Sequence, residues 1–330
     1  MARISDVAKH AGVSVATVSR VLGGQSGVSD AARERVLAAV KALDYHPDLA
    51  ARRLRSGKTD TLGLVVADIR NPYFTEISRA IEDVAYANRM RVLLCNSDED
   101  PEKERFYLDM LRDENVAGVI LSPTLDLLSR FRPADFSFPV VLVDRCTPET
   151  EADAVVLDNI DAAQRLIRHL IDRDCRRITL FHGTASATGL QRLEGYRSAL
   201  AAAGLTPFTQ AIKSTTFAAR KALLEHLRAH PLPDAVVASS GLILLGLVEA
   251  LREAGLQCPR DILIAGFDDQ PWTRIVTPDI TVIAQPTADI GRSAIELLLA
   301  RVAQPGQARR CIVMRGELIV RTSTCRVQNT

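Results

Sequence analysis

The chain has 330 residues, of which 47% are hydrophobic and 25% charged, with a formal net charge of +1. That length exceeds a lone nucleic-acid-binding module, and that composition excludes a disordered, collagenous or low-complexity chain. The six cysteines stand singly without Cys-x-x-Cys spacing, which argues against a structural metal or a secreted disulfide scaffold. No apolar run approaches the roughly 18–20 residues of a membrane span. The N-terminus leads straight into a polar helical pattern, so a cytoplasmic protein with no membrane association is expected.

The charge is unevenly spread. Residues 1–60 carry ten Lys/Arg against six Asp/Glu, and the remaining 270 carry 31 against 34. A basic head on a slightly acidic body is the layout expected when only the head meets phosphate.

The first elements are two short helices. Ser5 is placed to cap the first, with Val7, Ala8 and Ala11 on one apolar face, and Gly12 supplies a tight turn. Ser14 caps the second, with Val18, Val21 and Leu22 inward and Val15, Ala16, Thr17, Ser19 and Arg20 outward. Two such helices joined by a Gly-containing turn make a helix-turn-helix. A plain packing hairpin would not need so small and polar an outer face. A loop follows at Gly23–Gly27, and Ser29 then caps a third helix from about Asp30 to Leu43 that buries Val36, Val40 and Leu43. Pro47 opens a fourth, short helix to Arg55 whose few apolar positions include Leu54, crowded by Arg52, Arg53 and Arg55. An isolated helix of about nine residues is marginal in water, so this one is expected to order against a partner.

From Thr61 onward apolar strands alternate with amphipathic helices. Strands are read at 62–67, 91–95, 117–121, 140–143, 177–181, 235–238 and 262–265. Helices are read at 73–88, 101–114, 189–203, 216–229 and 242–254. Such alternation means βαβ units and parallel sheets, here in two runs. Ligands bind such sheets outside the carboxyl ends of the strands, across the facing loops. Polar residues gather at those positions: Asp68 to Phe74, Ser122 to Thr124, Asp144-Arg145, Asp158-Asn159, Arg192, Ser239-Ser240 and Asp268-Asp269 with Trp272. One such residue alone can be a helix cap. Their convergence, with aromatics among them, is how a sugar is held.

The run Ser5-Asp-Val-Ala-x-x-Ala-Gly-Val-Ser-x-x-Thr-Val-Ser-Arg-Val-Leu22, with Val28-Ser29 and Tyr45-x-Pro47, resembles the lactose-repressor (LacI) family. The resemblance continues through Asn71-Pro-Tyr73-Phe74, Asp158-Asn159, Arg192-x-x-Gly195-Tyr196, Gly266-Phe-Asp268-Asp269 and Thr281-Val-Ile-x-Gln285-Pro286. It implies an all-α helix-turn-helix head plus an α/β, periplasmic-binding-protein-like body of two doubly wound parallel-sheet subdomains. By that likeness the head spans 1–45 and a hinge helix with linker 46–59. The core spans 60–330, with an N-subdomain of about 60–159 plus 286–313 and a C-subdomain of about 160–285 plus 314–330.

The resemblance also implies site residues. Val15, Ala16 and Arg20 would read bases in the major groove of double-stranded operator DNA, and Leu54 would wedge a minor-groove base step. Arg20 can grip guanine bidentately, whereas Val15 and Ala16 can only touch thymine methyls or leave room. Ser5, Ser14, Thr17, Ser29, Arg53 and Arg55 are cast as phosphate contacts, which position without specifying. Tyr73, Phe74, Ser122, Arg145, Asp158, Arg192, Phe217, Ser240, Asp268 and Trp272 would line an effector pocket. Ser239-Ser240-Gly241 departs from the Ser-Asn-Asp common in the family, losing an amide and a carboxylate at that wall. Arg145 and Arg192 suit an anionic ligand, because guanidinium forks pair with carboxylates. Asp268-Asp269-x-x-Trp272 followed by Ile-Ala-Gln285-Pro286 is similar to the branch that responds to ketogluconate-type sugar acids.

The expectation is therefore a transcriptional repressor controlled by a sugar or sugar acid, without cofactor or metal. No a/d pattern follows the last strand, so a homodimer is expected. A sugar-binding transport receptor would share the two-lobed body but not the head. An enzyme would need a nucleophile–base motif, metal spacing or a phosphate-binding glycine loop, and none is present in the sequence.

Overall fold

The computed structural model describes residues 2–23, 27–45, 59–147, 149–184 and 186–325. These form two compact units, one up to Thr59 and one from Asp60 onward. The hinge helix expected at Pro47–Arg55, including Arg53, Leu54 and Arg55, lies outside the described residues, as does most of the loop expected at Gly23–Gly27.

The first unit contains α1 (Ile4–Ala11), α2 (Val15–Leu22) and α3 (Asp30–Ala42). Arg3, not Ser5, is the N-cap of α1: its backbone N–H donates to Asp6 Oδ2 at 2.8 Å, and Ser5 sits exposed in the first turn. Asp6, three residues on, satisfies the Arg3 N–H in the manner of a capping box, so the cap expected at Ser5 falls two residues earlier. Gly12 ends α1 in the left-handed region at φ 63°, which a Cβ would strain. Ser14 caps α2 as expected, its Oγ accepting from Thr17 N at 3.1 Å. The core consists of small side chains, Val7, Ala8, Ala11, Val18, Val21, Val36 and Ala39. These let three short helices approach closely.

The second unit is built on two six-stranded sheets. In chain order the first half supplies β1 (Thr61–Val66), α4 (Pro72–Ala87), β2 (Arg91–Asn96), α5 (Pro101–Asp113), β3 (Val119–Leu121), α6 (Leu125–Arg130), β4 (Val140–Val143) and β5 (Asp153–Leu157). The second supplies α7 (Asn159–Ile171), β6 (Ile178–Gly183), α8 (Ala187–Ala202), β7 (Phe208–Ile212), α9 (Thr216–Ala229), β8 (Ala235–Ala238), α10 (Gly241–Glu253), β9 (Leu263–Phe267), α11 (Pro271–Ile275) and β10 (Thr281–Ala284). The chain then returns through α12 (Thr287–Ala303) to β11 (Cys311–Met314) in the first sheet and β12 (Glu317–Ile319) in the second.

The sheet orders are β11-β5-β4-β3-β1-β2 and β12-β10-β9-β8-β6-β7, so the second sheet repeats the first strand for strand. All pairings are parallel except β10 with β12. Strands covered on both faces read as continuous apolar runs, which is why Val140–Val143 and Ala235–Ala238 coincide with the sequence reading. Phe208–Ile212 escaped it because an edge strand is half exposed and its sequence alternates weakly. Gly195, Gly246 and Gly291 mark where helices touch. A Cβ there would lie 2.4 Å from Ile160 O, 2.3 Å from Thr216 O and 2.7 Å from Ile77 O respectively. No described helix is long and apolar enough to cross a membrane.

One buried histidine ties the returning chain to this frame. His169 on α7 meets Thr324 Oγ1 through Nε2 at 2.8 Å and Arg173 Nη1 through Nδ1 at 3.1 Å. Arginine can only donate, so Nδ1 accepts and Nε2 carries the proton. Burial, with help from Arg173, lowers the His169 pKa from 6.5 to about 4. The unfolded chain then binds this proton more tightly, so stability is complete above pH 6.5 and is lost as pH falls toward 4. His169→Gln keeps a donor for Thr324 without the titration. Its melting temperature, followed by circular dichroism, is expected to fall less across that window than the parent's.

Candidate functional site

Two surfaces carry the polar groups singled out by sequence. On the first unit, the cap at Ser14 fixes the start of α2, and its Oγ also lies 2.9 Å from Thr17 Oγ1. Val15 is 41% exposed, and Ala16, Ser19 and Arg20 are exposed beside it. Because Val18 and Val21 are pinned in the core, the opposite face of α2 must point outward. That face offers one guanidinium among small side chains. Ser29 takes the N-cap position of α3 but its hydroxyl makes no capping bond.

On the second unit, the carboxyl ends of both sheets face a cavity of about 490 Å³. Six of the ten expected pocket residues line it: Tyr73, Phe74, Arg145, Arg192, Ser240 and Asp268. Four do not. Ser122 is completely buried and outside the lining. Asp158 caps α7 through Asp161 N at 3.0 Å and faces a different cavity. Phe217 stands 70% exposed in the first turn of α9. Trp272 donates to Gln270 Oε1 at 2.6 Å and packs on the second-sheet core.

Asp144 and Asp268 occupy corresponding positions after β4 and β9, and both adopt left-handed backbone at φ 72° and 75°. Such geometry in a non-glycine residue persists only where surrounding contacts enforce it. For Asp268 the contacts are visible: Oδ2 accepts from Gly241 N at 2.8 Å and Oδ1 from Gln285 Nε2 at 2.6 Å. This carboxylate joins the start of α10 to the strand that leaves the subdomain.

The two walls differ in charge. Toward the first sheet every arginine has an acid. Arg145, 3% exposed, donates from Nη1 to Glu99 Oε2 at 2.7 Å and to Pro123 O at 3.0 Å, and from Nε to Asp144 Oδ2 at 2.9 Å. Burial alone would lower its pKa, and Glu99 and Asp144 together more than offset that. Arg70 is likewise taken by Asp68 at 2.9 Å. The expectation that Arg145 offers a free fork is therefore corrected, because Glu99 from the loop after β2 occupies it. That acid was not singled out in the sequence, although its place after a strand end was the available signal.

Toward the second sheet, Arg192 is 3% exposed with its guanidinium carbon 3.9 Å from the Phe267 ring centroid. Its Nε donates to Asn159 Oδ1 at 2.8 Å and its Nη1 to Ser239 O at 2.5 Å. No carboxylate among the described residues reaches ion-pair distance of it, and burial lowers its pKa against the more distant pull of Asp268 and Asp144. Around it stand the capping hydroxyls Ser186, Thr215 and Ser240 at the N-termini of α8, α9 and α10. Lys213, also exposed on this wall, follows β7 and was missed with that strand. Tyr73 Oη is buried, and burial together with Asp144 raises its pKa, so it stays protonated. The cavity can thus clamp a small polyol by hydroxyls and acids, stack it on Phe74, and meet one negative charge at Arg192.

The chain matches the family described as bacterial regulatory proteins, lacI family, over residues 3–48. It also matches a periplasmic binding protein-like domain over 167–324. It is 35% identical to the ribose operon repressor of Halalkalibacterium halodurans over 325 residues, which is 98% of this chain and 97% of that one. Among solved structures it resembles the lac repressor dimer bound to operator and the anti-inducer ONPF. That likeness has a TM-score of 0.88 and 24% identity, covering 98% of this chain and 99% of that one. It also resembles the transcriptional regulator CelR in complex with cellobiose, with a TM-score of 0.73 and 30% identity, covering 98% and 100%.

Proposed function

The chain belongs to the lacI family of bacterial regulatory proteins, and from that premise we propose a homodimeric, cytoplasmic repressor switched by a sugar acid such as a ketogluconate. Proteins of this family are DNA-binding repressors under the control of sugars or other metabolites, and they are not enzymes. The finer reading gives each site a role. Val15, Ala16 and Arg20 read bases, and Leu54 wedges the operator centre. Ser5, Ser14, Thr17, Ser29, Arg53 and Arg55 hold phosphates. Tyr73, Phe74, Arg192, Ser240 and Asp268 contact the effector, with Arg145 bracing the wall through Glu99 and Asp144.

Residues 60–159 with 286–313 and 160–285 with 314–330 act as two lobes that close or open on the effector. A ligand preferring one lobe arrangement shifts the fraction of dimers able to grip both half-sites. CelR bound to cellobiose supports a carbohydrate in such a cavity. The observation that carries the acid preference is Arg192, a buried guanidinium without a carboxylate partner among the described residues. An anion there completes a charge that burial otherwise penalises. Titration calorimetry is expected to show hexonates and ketohexonates binding while neutral hexoses bind at least about tenfold more weakly. Binding of neutral hexoses without hexonates would overturn the preference.

A further inference from the structure

Cys146 and Cys311 lie 165 positions apart in sequence, yet their sulfurs are 3.9 Å apart. Cys146 follows Asp144-Arg145 on the segment after β4, and Cys311 opens β11, the outer strand of the same sheet. None of the six cysteines is in a disulfide. Both sulfurs face a second cavity of about 380 Å³, which Asp158, Asn159 and Gln191 also line. Asn159 Nδ2 donates to Gln191 Oε1 at 3.0 Å, and its Oδ1 accepts from Arg192 Nε at 2.8 Å. The thiol pair therefore adjoins the effector wall at Arg145 through the chain and at Arg192 through Asn159.

We propose that Cys146 and Cys311 are a peroxide-responsive thiol pair that closes a reversible disulfide and ties the Asp144–Arg145 wall to strand β11. Cys311 is exposed and Cys146 half-buried, so the peroxide meets Cys311 first. Burial and the neighbouring sulfur push the Cys146 thiol up to about 12, which keeps it from competing for that first step. The Cys311 thiol gives its proton to solvent, the thiolate attacks one peroxide oxygen, the O–O bond breaks, and the second oxygen leaves as hydroxide that takes a proton back from solvent as water, giving a sulfenic acid. The Cys146 sulfur then attacks that sulfur. The S–S bond forms, the S–O bond breaks, and the oxygen departs with the thiol proton as a second water. Two thiols are oxidised and one peroxide is reduced to two waters. A disulfide spans about 2.05 Å, so closure needs a movement of roughly 2 Å shared between side-chain rotation and the loop.

The test uses the full chain with equimolar hydrogen peroxide and needs no effector or operator, so it stands or falls apart from the proposed function. Denatured thiol titration is expected to fall from six to four per chain, with one peptide joining Cys146 to Cys311 and full recovery after dithiothreitol. Cys146→Ser is expected to stop at a sulfenic acid on Cys311, trapped by dimedone. Amide exchange at Cys146 and Thr147 is expected to slow at least about threefold in the oxidised protein. Retention of all six thiols, a linkage between other cysteines, absence of the trapped Cys311 adduct, or unchanged exchange in the linked protein would overturn the proposal.

Discussion

Arg20→Ala is expected to lower affinity for the selected operator about a hundredfold or more, and Leu54→Ala to lower it as severely. The outward face of α2 carries Val15, Ala16 and Arg20, and only the guanidinium can make a paired bond to a base edge. One bidentate contact discriminates by roughly 1–3 kcal/mol, and a dimer uses two copies. A single head with so small a reading face binds weakly, so under the proposed hinge assignment specificity is shared with Leu54 at the operator centre, where unstacking would bend the duplex and enlarge the contact. Phosphate contacts remain in both variants, so binding to unrelated DNA is expected to persist. Fluorescence anisotropy at fixed salt separates the two. Near-normal specific affinity for the Leu54 variant would refute the hinge assignment.

Arg192→Leu is expected to weaken hexonate binding about a hundredfold, equivalent to roughly 3 kcal/mol. The same change leaves Asn159 Oδ1 and Ser239 O, both partners of the guanidinium, short of a buried donor. A fall in melting temperature is therefore expected alongside the loss of binding. Arg192→Lys separates the effects, because it restores the charge but not the fork, and should recover only part of the affinity. The operator affinity of the ligand-free variant is expected to stay near the parent's. A folded Arg192→Leu protein that binds hexonates as the parent does would remove the reason for preferring an acid.

The fold was legible where one sequence signal had one structural solution. Ser14 three residues before Thr17, and Gly12 before it, specify a turn and a cap that few alternatives satisfy. Val140–Val143 and Ala235–Ala238 read as buried strands because both faces are covered. Phe208–Ile212 did not, since its edge position relaxes the need for apolar residues. Thr287–Ala303 carries the buried stripe Ile290, Ala294, Ile295 and Leu298, yet it follows a crossing that βαβ alternation does not predict.

The cavity was legible only in outline. Strand ends place candidates, but the backbone angle of one residue decides which side chain turns inward. Asp144 and Asp268 turn at positive φ, and sequence does not announce that for an aspartate. Pairing is less visible still. Arg145 and Arg192 looked alike in the sequence, and it is Glu99, reaching in from the second strand's loop, that spends one and leaves the other.

In the proposed function the head selects operator DNA for a body that senses a small carbohydrate. Selection from genomic fragments followed by gel shift tests it most directly, comparing the full chain with one lacking residues 1–57. The full chain is expected to enrich a small set of near-palindromic fragments, and the truncated chain none. A full-length protein that enriches no fragment, or a truncated one that enriches the same fragments, would contradict it.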